Sequence, residues 1–178
     1  MREIKYELFE ENPFNMIGKD WLLFTAEKDG RANTMTASWG GLGIMWNKKV
    51  AYIFVRPQRY TREFIDSADR LSISVLPNSY RKELGYLGRI SGRDEDKLSK
   101  VDLTLTNYDG VPGFEEARLT LICRKLYAQE LKEECFIEKD IIDQWYPEKD
   151  YHIMYVVEIE KILENEMAKK WYHLTLDN

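Results

Sequence analysis

Histidine and cysteine are scarce in this chain, two of each in 178 residues, and that scarcity removes whole classes of chemistry. A nucleophilic triad needs a histidine base, yet only His152 and His173 are present and no Gly-x-Ser-x-Gly elbow accompanies them. His152 opens a strand-like run, where a structural or surface histidine is commoner than a general base. A zinc site needs three or four His, Cys or carboxylate ligands at short spacing, and Glu133-Glu134-Cys135 reads only as a solvated acidic face. No catalytic side chain and no metal ligand is therefore assigned. Cys123 and Cys135 form neither a Cys-x-x-Cys pair nor a metal pattern. Read as reduced thiols without a secretory leader, they place the protein in the cytoplasm.

Long apolar runs are missing too. The longest, Val50 to Val55, falls far short of the roughly 20 residues a membrane helix needs. The opening Met1-Arg2-Glu3-Ile4-Lys5-Tyr6-Glu7 mixes both charges and lacks the apolar centre of a signal peptide, so it is read as part of the mature protein. An excess of positive charge is absent as well: 26 Lys and Arg stand against 31 Asp and Glu, a net charge of −5. Nothing in that balance attracts nucleic acid or an anionic membrane, and neither partner is expected. The length suits one domain with its own core, taken as residues 1–178 with 164–178 as a charged C-terminal tail.

What is present leans to β-structure. Aromatic residues make up 13% of the chain and suit flat packing surfaces. Trp21 to Ala26 and Ala32 to Trp39 read as paired strands about the turn signal Asp29-Gly30. Val50 to Val55 reads as a buried strand, Tyr60 to Asp66 as a two-turn helix capped by Thr61, and Leu71 to Leu76 as a half-buried strand of period two. Ser79 to Gly88 places Tyr80, Leu84 and Leu87 at helical spacing, and Asp94 to Leu98 adds a short turn. Asn107 to Gly113 is expected as a loop, Ala117 to Leu131 as a long strand bent midway, Glu133 to Trp145 as a surface helix ended by Pro147, and Tyr151 to Ile159 as a further strand. This is a mainly β chain with inserted helices, an antiparallel barrel rather than βαβ winding.

Two stretches carry the functional signal. Asn33-Thr34-Met35-Thr36-Ala37-Ser38-Trp39-Gly40-Gly41 sets small side chains on a strand that ends in two glycines, so a flat ligand can approach the backbone. Arg56-Pro57-Gln58-Arg59-Tyr60-Thr61 sets two guanidinium groups and a hydroxyl where a strand gives way to a helix, a place suited to a phosphate. Each has a plainer reading alone: Thr34, Thr36 and Ser38 as the outward face of an edge strand, and the arginines as surface charge about a Pro turn. Gly40-Gly41-Leu42-Gly43 does not make a dinucleotide fingerprint, because another strand follows it and no helix N-terminus is available to the phosphates. These glycines read as a bend in a barrel strand. Taken jointly, the two stretches read as a cradle for a phosphorylated flavin.

Four pieces in order resemble the flavin reductase-like, FMN-binding split-barrel family, in particular its flavoredoxin-type branch. They are Asn33 to Trp39, Arg56 to Thr61, the loop Ser91-Gly92-Arg93-Asp94-Glu95-Asp96-Lys97, and Trp145-Tyr146-Pro147 followed by Asp150-Tyr151-His152-Ile153-Met154-Tyr155. They cover about residues 15 to 163. The resemblance implies a split barrel that forms a homodimer with FMN near the subunit interface. It implies that Thr34, Met35, Thr36, Ala37, Ser38 and Trp39 line the ribityl and ring, with backbone N–H groups near Ala37 and Ser38 at the ring's N1–C2=O edge. Arg56, Arg59, Tyr60 and Thr61 would hold the phosphate, with Lys97 and Arg93 as neighbours. It implies an oxidoreductase taking reducing equivalents from NADH or NADPH through FMN to an acceptor, in some settings a protein. An FMN-binding electron carrier and a split barrel that has lost its cofactor are the alternatives.

Overall fold

The computed structural model describes residues 1–166. Its strands are β1 (Arg2–Ile4), β2 (Leu22–Lys28), β3 (Arg31–Ala37), β4 (Gly40–Met45), β5 (Lys48–Val55), β6 (Arg70–Val75), β7 (Leu105–Tyr108), β8 (Val111–Phe114), β9 (Leu119–Glu130) and β10 (Ile153–Glu164). Helices α1 (Pro13–Asn15), α2 (Thr61–Ser67), α3 (Arg81–Arg89) and α4 (Asp140–Trp145) are set between them. The main sheet runs β3-β2-β6-β9-β10-β5-β4, with β1 added on β10, and β7 and β8 form a separate hairpin. Every pairing is antiparallel.

The two outer strands of that order, β3 and β4, are consecutive in the chain and joined only by Ser38 and Trp39. Three Cα steps separate Ala37 from Gly40, at most about 11 Å, so the edges of the sheet are drawn together without pairing. The result is a barrel opened along one seam. Its interior is filled from all sides, by Ile4, Phe24, Met35, Ile53, Ile73, Leu121 and Tyr155 among others. A second apolar cluster fastens α3 outside the barrel, through Leu84 and Leu87 against Leu23, Leu76 and Phe114.

The hairpin at Asp29-Gly30 forms as the sequence predicts, with φ of 52° and 73° at the two turn residues. The glycines of β4 bend past β5 and leave room for Tyr52: a Cβ on Gly40 would lie 2.7 Å from the Tyr52 carbonyl oxygen. Expectations fail at several places. Strand β6 is buried on both faces, because Ser72 donates to Pro112 O (2.5 Å) and Ser74 meets Thr120 (3.2 Å) under the β7–β8 hairpin and β9. That hairpin replaces the expected loop at Asn107 to Gly113. The surface helix shrinks to α4, since Phe136 turns back against Tyr146 and Tyr151 while Ile137 points to solvent. Glu164 ends β10 opposite Arg2 and Leu119, so the strand takes in the start of the expected tail. His173 and the tail from Met167 onward lie outside the described residues.

Candidate functional site

The seam between β3 and β4 opens into a groove with two compartments. One, of about 410 Å³, is lined by Met35, Thr36, Ala37, Ser38, Trp39, Phe54, Arg56, Arg59, Trp145 and His152. The other, of about 340 Å³, is lined by Met35, Arg56, Gln58, Arg59, Tyr60, Thr61, Arg89, Ile90, Ser91, Gly92 and Lys97. Met35, Arg56 and Arg59 belong to both, so the compartments run into each other. The first is walled by aromatic rings; the second holds the cations.

The side chains of β3 divide between the groove and the elements packed beside it. Asn33 and Met35 are buried on the groove side, and Asn33 Nδ2 donates to Thr61 Oγ1 at 2.9 Å. Thr34 points the other way. It is fully buried, 2.9 Å from the Thr25 hydroxyl and donating to Phe24 O at 3.1 Å. Its expected place in the lining is therefore corrected: it binds β3 to β2. Thr36 reaches the groove margin but donates to Leu84 O of α3 at 2.7 Å. Thr61 is buried as the acceptor from Asn33, and α2 has no side-chain cap, so its expected capping role is corrected as well.

The ring-like end is built by residues far apart in sequence. Trp39 meets Trp145 edge to face at 5.0 Å and His152 at 5.1 Å between ring centroids. The His152 Nδ1 lies 2.8 Å from the Tyr146 hydroxyl, and among the described residues its Nε2 has no hydrogen-bond partner. Burial, then the charge of Arg56, pushes the His152 pKa down to about 4, so the ring is neutral near pH 7.

At the cationic end, Arg56 is already matched. It pairs with Asp150 and donates to Trp145 O at 2.8 Å, and Gln58 Nε2 donates to the same carboxylate at 2.6 Å. Arg93 is spent on Glu63 (2.5 Å) and Gln58 O (3.0 Å) and lies over Tyr60; it does not line the groove. Arg59 and Lys97 differ from both. Arg59 donates to Gly88 O at 2.5 Å, and Lys97 donates to Leu87 O and Ile90 O at 3.1 Å each, all main-chain acceptors. Burial, then the neighbouring guanidinium, lowers the proton affinity of both, that of Lys97 to about 8. Two cations in a cavity, without a carboxylate partner among the described residues, form a site for an anion.

Ten of the eleven residues expected in the site line the groove; Thr34 does not. Sequence reading assigned no role to Phe54, Trp145, His152, Arg89, Ile90 or Gly92. Trp145, Gly92 and His152 lay inside stretches that carried the resemblance, which was the available signal. Arg89 and Phe54 had none.

The flavin reductase like domain family matches residues 17–175. An FMN-binding protein from Thermus thermophilus, with bound p-hydroxybenzaldehyde, has a similar structure (TM-score 0.66, 20% identity, 93% of this chain and 83% of that one). So does a flavoredoxin from Methanosarcina acetivorans (TM-score 0.63, 21% identity, 93% and 76%). An uncharacterised protein of Archaeoglobus fulgidus is 27% identical over 96 residues, 53% of this chain and 54% of that protein, so the match spans about half the relative's length. The structural likenesses establish the fold as the split barrel of FMN-binding, flavin reductase-like proteins. With the family match running across nearly the whole sequence, this chain belongs to the flavin reductase like domain family.

Proposed function

We propose that this chain is an FMN-dependent oxidoreductase that passes reducing equivalents from NADH or NADPH through bound flavin to an acceptor. The observation that carries this reading is a single groove whose aromatic end runs into a cationic end past Met35, Arg56 and Arg59. FMN is divided in the same order, a flat ring, a short polyol and a dianionic phosphate. The donor set fits the phosphate, because among the described residues Arg59 and Lys97 reach only main-chain oxygens and have charge to spare.

Bound flavin supplies hydride acceptance and onward electron transfer. The chain supplies position and field. Arg59, Tyr60, Thr61 and Lys97 hold the phosphate, with Arg56 fixed beside them by Asp150. Trp39, Phe54 and Trp145 exclude water from the ring. Ala37, at the end of β3, and Ser38, just beyond it, line the groove, and main-chain N–H groups there would favour negative charge at the ring's N1–C2=O edge. Neutral His152 offers Nε2 at that end without adding charge.

A homodimer in the reducing cytoplasm is part of the proposal. The observation favouring self-association is apolar surface along the edge strand β4 and the turn after it, where Ile44 is 68% and Trp46 is 55% exposed. An apolar hollow between Phe14, Ile17, Trp39 and Leu42 continues it beside the groove. Among the described residues no helix is long and apolar enough to cross a membrane.

Stopped-flow mixing of the FMN-loaded protein with NADH and NADPH tests the reading. Bleaching faster than that of free FMN supports it. Tight FMN binding without faster bleaching supports an electron carrier instead, the reading favoured by the likeness to a flavoredoxin. A colourless preparation that takes up no added FMN would defeat both.

A further inference from the structure

We propose that ligand binding at the cationic end is coupled to protonation of Lys97, so that the site releases FMN as the solution becomes alkaline; this rests on the flavin reading above. The geometry is that of a trapped ammonium. Lys97 opens the single helical turn Lys97–Lys100, and only 4% of its surface is exposed. Its Nζ is anchored by the carbonyls of Leu87 and Ile90, at the C-terminal end of α3, where Arg59 takes the carbonyl of Gly88. Helix ends leave such carbonyls without internal partners, and here two cations bind them side by side.

Among the described residues, the charged groups around Lys97 leave it without a counter-ion. On the β5–α2 junction stand Arg56, already paired with Asp150, and Arg59. On α3 stands Arg89, and the other titratable side chain of the lining is Tyr60. On its own segment Glu95 and Asp96 are exposed, and Glu95 is engaged by the Tyr86 hydroxyl. Glu63, on α2, is held by Arg93. Among the described residues no carboxylate lines the compartment. Burial and Arg59 accordingly lower the Lys97 pKa to about 8, and a phosphate dianion placed in the same compartment raises it again by supplying the missing charge.

The sign follows from which form binds. Below about pH 8 the amine is already charged, so phosphate binding recruits no proton. Above it the free site is neutral at Lys97, and each phosphate bound takes up one proton from solution. Affinity then falls about tenfold per pH unit until the raised value of the bound state is reached.

The experiment is titration of FMN and of riboflavin onto the full chain between about pH 7 and 9.5, above the phosphate's own second ionisation near 6. Calorimetry in two buffers of contrasting ionisation enthalpy counts protons on the wild type directly, and Lys97→Arg and Lys97→Met are titrated alongside. Expected are a level FMN Kd up to about pH 8 and then a rise of about tenfold per unit, with proton uptake approaching one per FMN. Lys97→Arg stays level, Lys97→Met binds weakly and stays level, and riboflavin is level throughout. A wild-type FMN Kd that is tight and unchanged across the range, or a Lys97→Arg slope equal to the wild type, overturns the coupling while leaving the flavin site standing. Failure to bind FMN at any pH in a protein that melts cooperatively overturns the flavin reading and the coupling with it.

Discussion

Asn33 Nδ2 donates to Thr61 Oγ1 across 2.9 Å, and that bond ties together the two stretches that line the groove, β3 and the β5–α2 junction. Gly92 makes room for it. A Cβ at this position would lie 2.6 Å from Asn33 Oδ1 and 3.1 Å from Tyr60 Cδ1. Gly92→Ala therefore has to displace the Asn33 amide, and Thr61 loses its donor. We expect FMN affinity to fall about tenfold and stability to fall by about 1–2 kcal/mol, from overpacking and one lost buried hydrogen bond. Flavin fluorescence titration and urea unfolding measure the two, and an unchanged Kd would show that the loop does not touch the site.

Arg59 and Arg93 give opposite expectations although both lie near the cationic end. Arg59 faces the cavity with Gly88 O as its one hydrogen-bond partner among the described residues, whereas Arg93 is used by Glu63 and Gln58. Removing a charge-assisted bond costs about 1.5–3 kcal/mol, so Arg59→Ala should weaken FMN binding by roughly 10- to 100-fold. Arg59→Lys restores only part of it, because the planar fork is lost. Arg93→Ala should change the Kd by less than about threefold, its ion pair being exposed. Flavin content after purification gives the first answer, and full retention in Arg59→Ala would remove the phosphate assignment.

Thr34→Val separates scaffold from site. The hydroxyl is buried between Thr25 and Phe24 O, and valine keeps its shape while deleting the hydrogen bonds. Unfolding free energy should fall by about 1–2 kcal/mol with FMN affinity unchanged at a temperature where the variant is folded. A large affinity loss there would put Thr34 back in the lining.

Much of this was readable in the sequence where the determinants are local. Asp29-Gly30 marks its turn because both residues must take positive φ, and Val50 to Val55 is apolar enough to be a strand in any context. The same Asp-Gly signal at Asp109-Gly110 went unread because β7 and β8 have four residues each, too few for a period to show. The apolar spacing from Phe136 to Trp145 imitates a helix, but Phe136 anchors to Tyr146 and Tyr151 while Trp145 walls the groove. In the site, residue types were legible and directions were not. Thr34 has the right chemistry, but its hydroxyl is used by Thr25 and Phe24 O inside the sheet. His152, just before β10, meets Trp39, just before β4, across β5, Trp145 arrives there from α4, and Lys97 and Arg59 share the carbonyls at the end of α3. No period in the chain encodes such meetings.

His152 makes the fold itself sensitive to acid in a definite direction. Its folded pKa of about 4 lies below the ordinary value of 6.5, because burial and then Arg56 oppose the charged ring. As pH falls through about 6.5 the unfolded chain gains a proton that the folded protein refuses until about pH 4, so the unfolded state is favoured progressively. The contribution is fully present above pH 6.5 and lost between there and 4, and the shift corresponds to roughly 3 kcal/mol. His152→Gln keeps a polar partner for the Tyr146 hydroxyl and cannot titrate. Urea unfolding of both proteins from pH 7.5 downward should show wild-type stability falling more steeply between about 6.5 and 4, the carboxylates common to both cancelling in the difference. Parallel curves would mean that His152 gains its proton in the folded barrel as readily as in the open chain, and the groove's aromatic end would then carry a positive charge in mild acid.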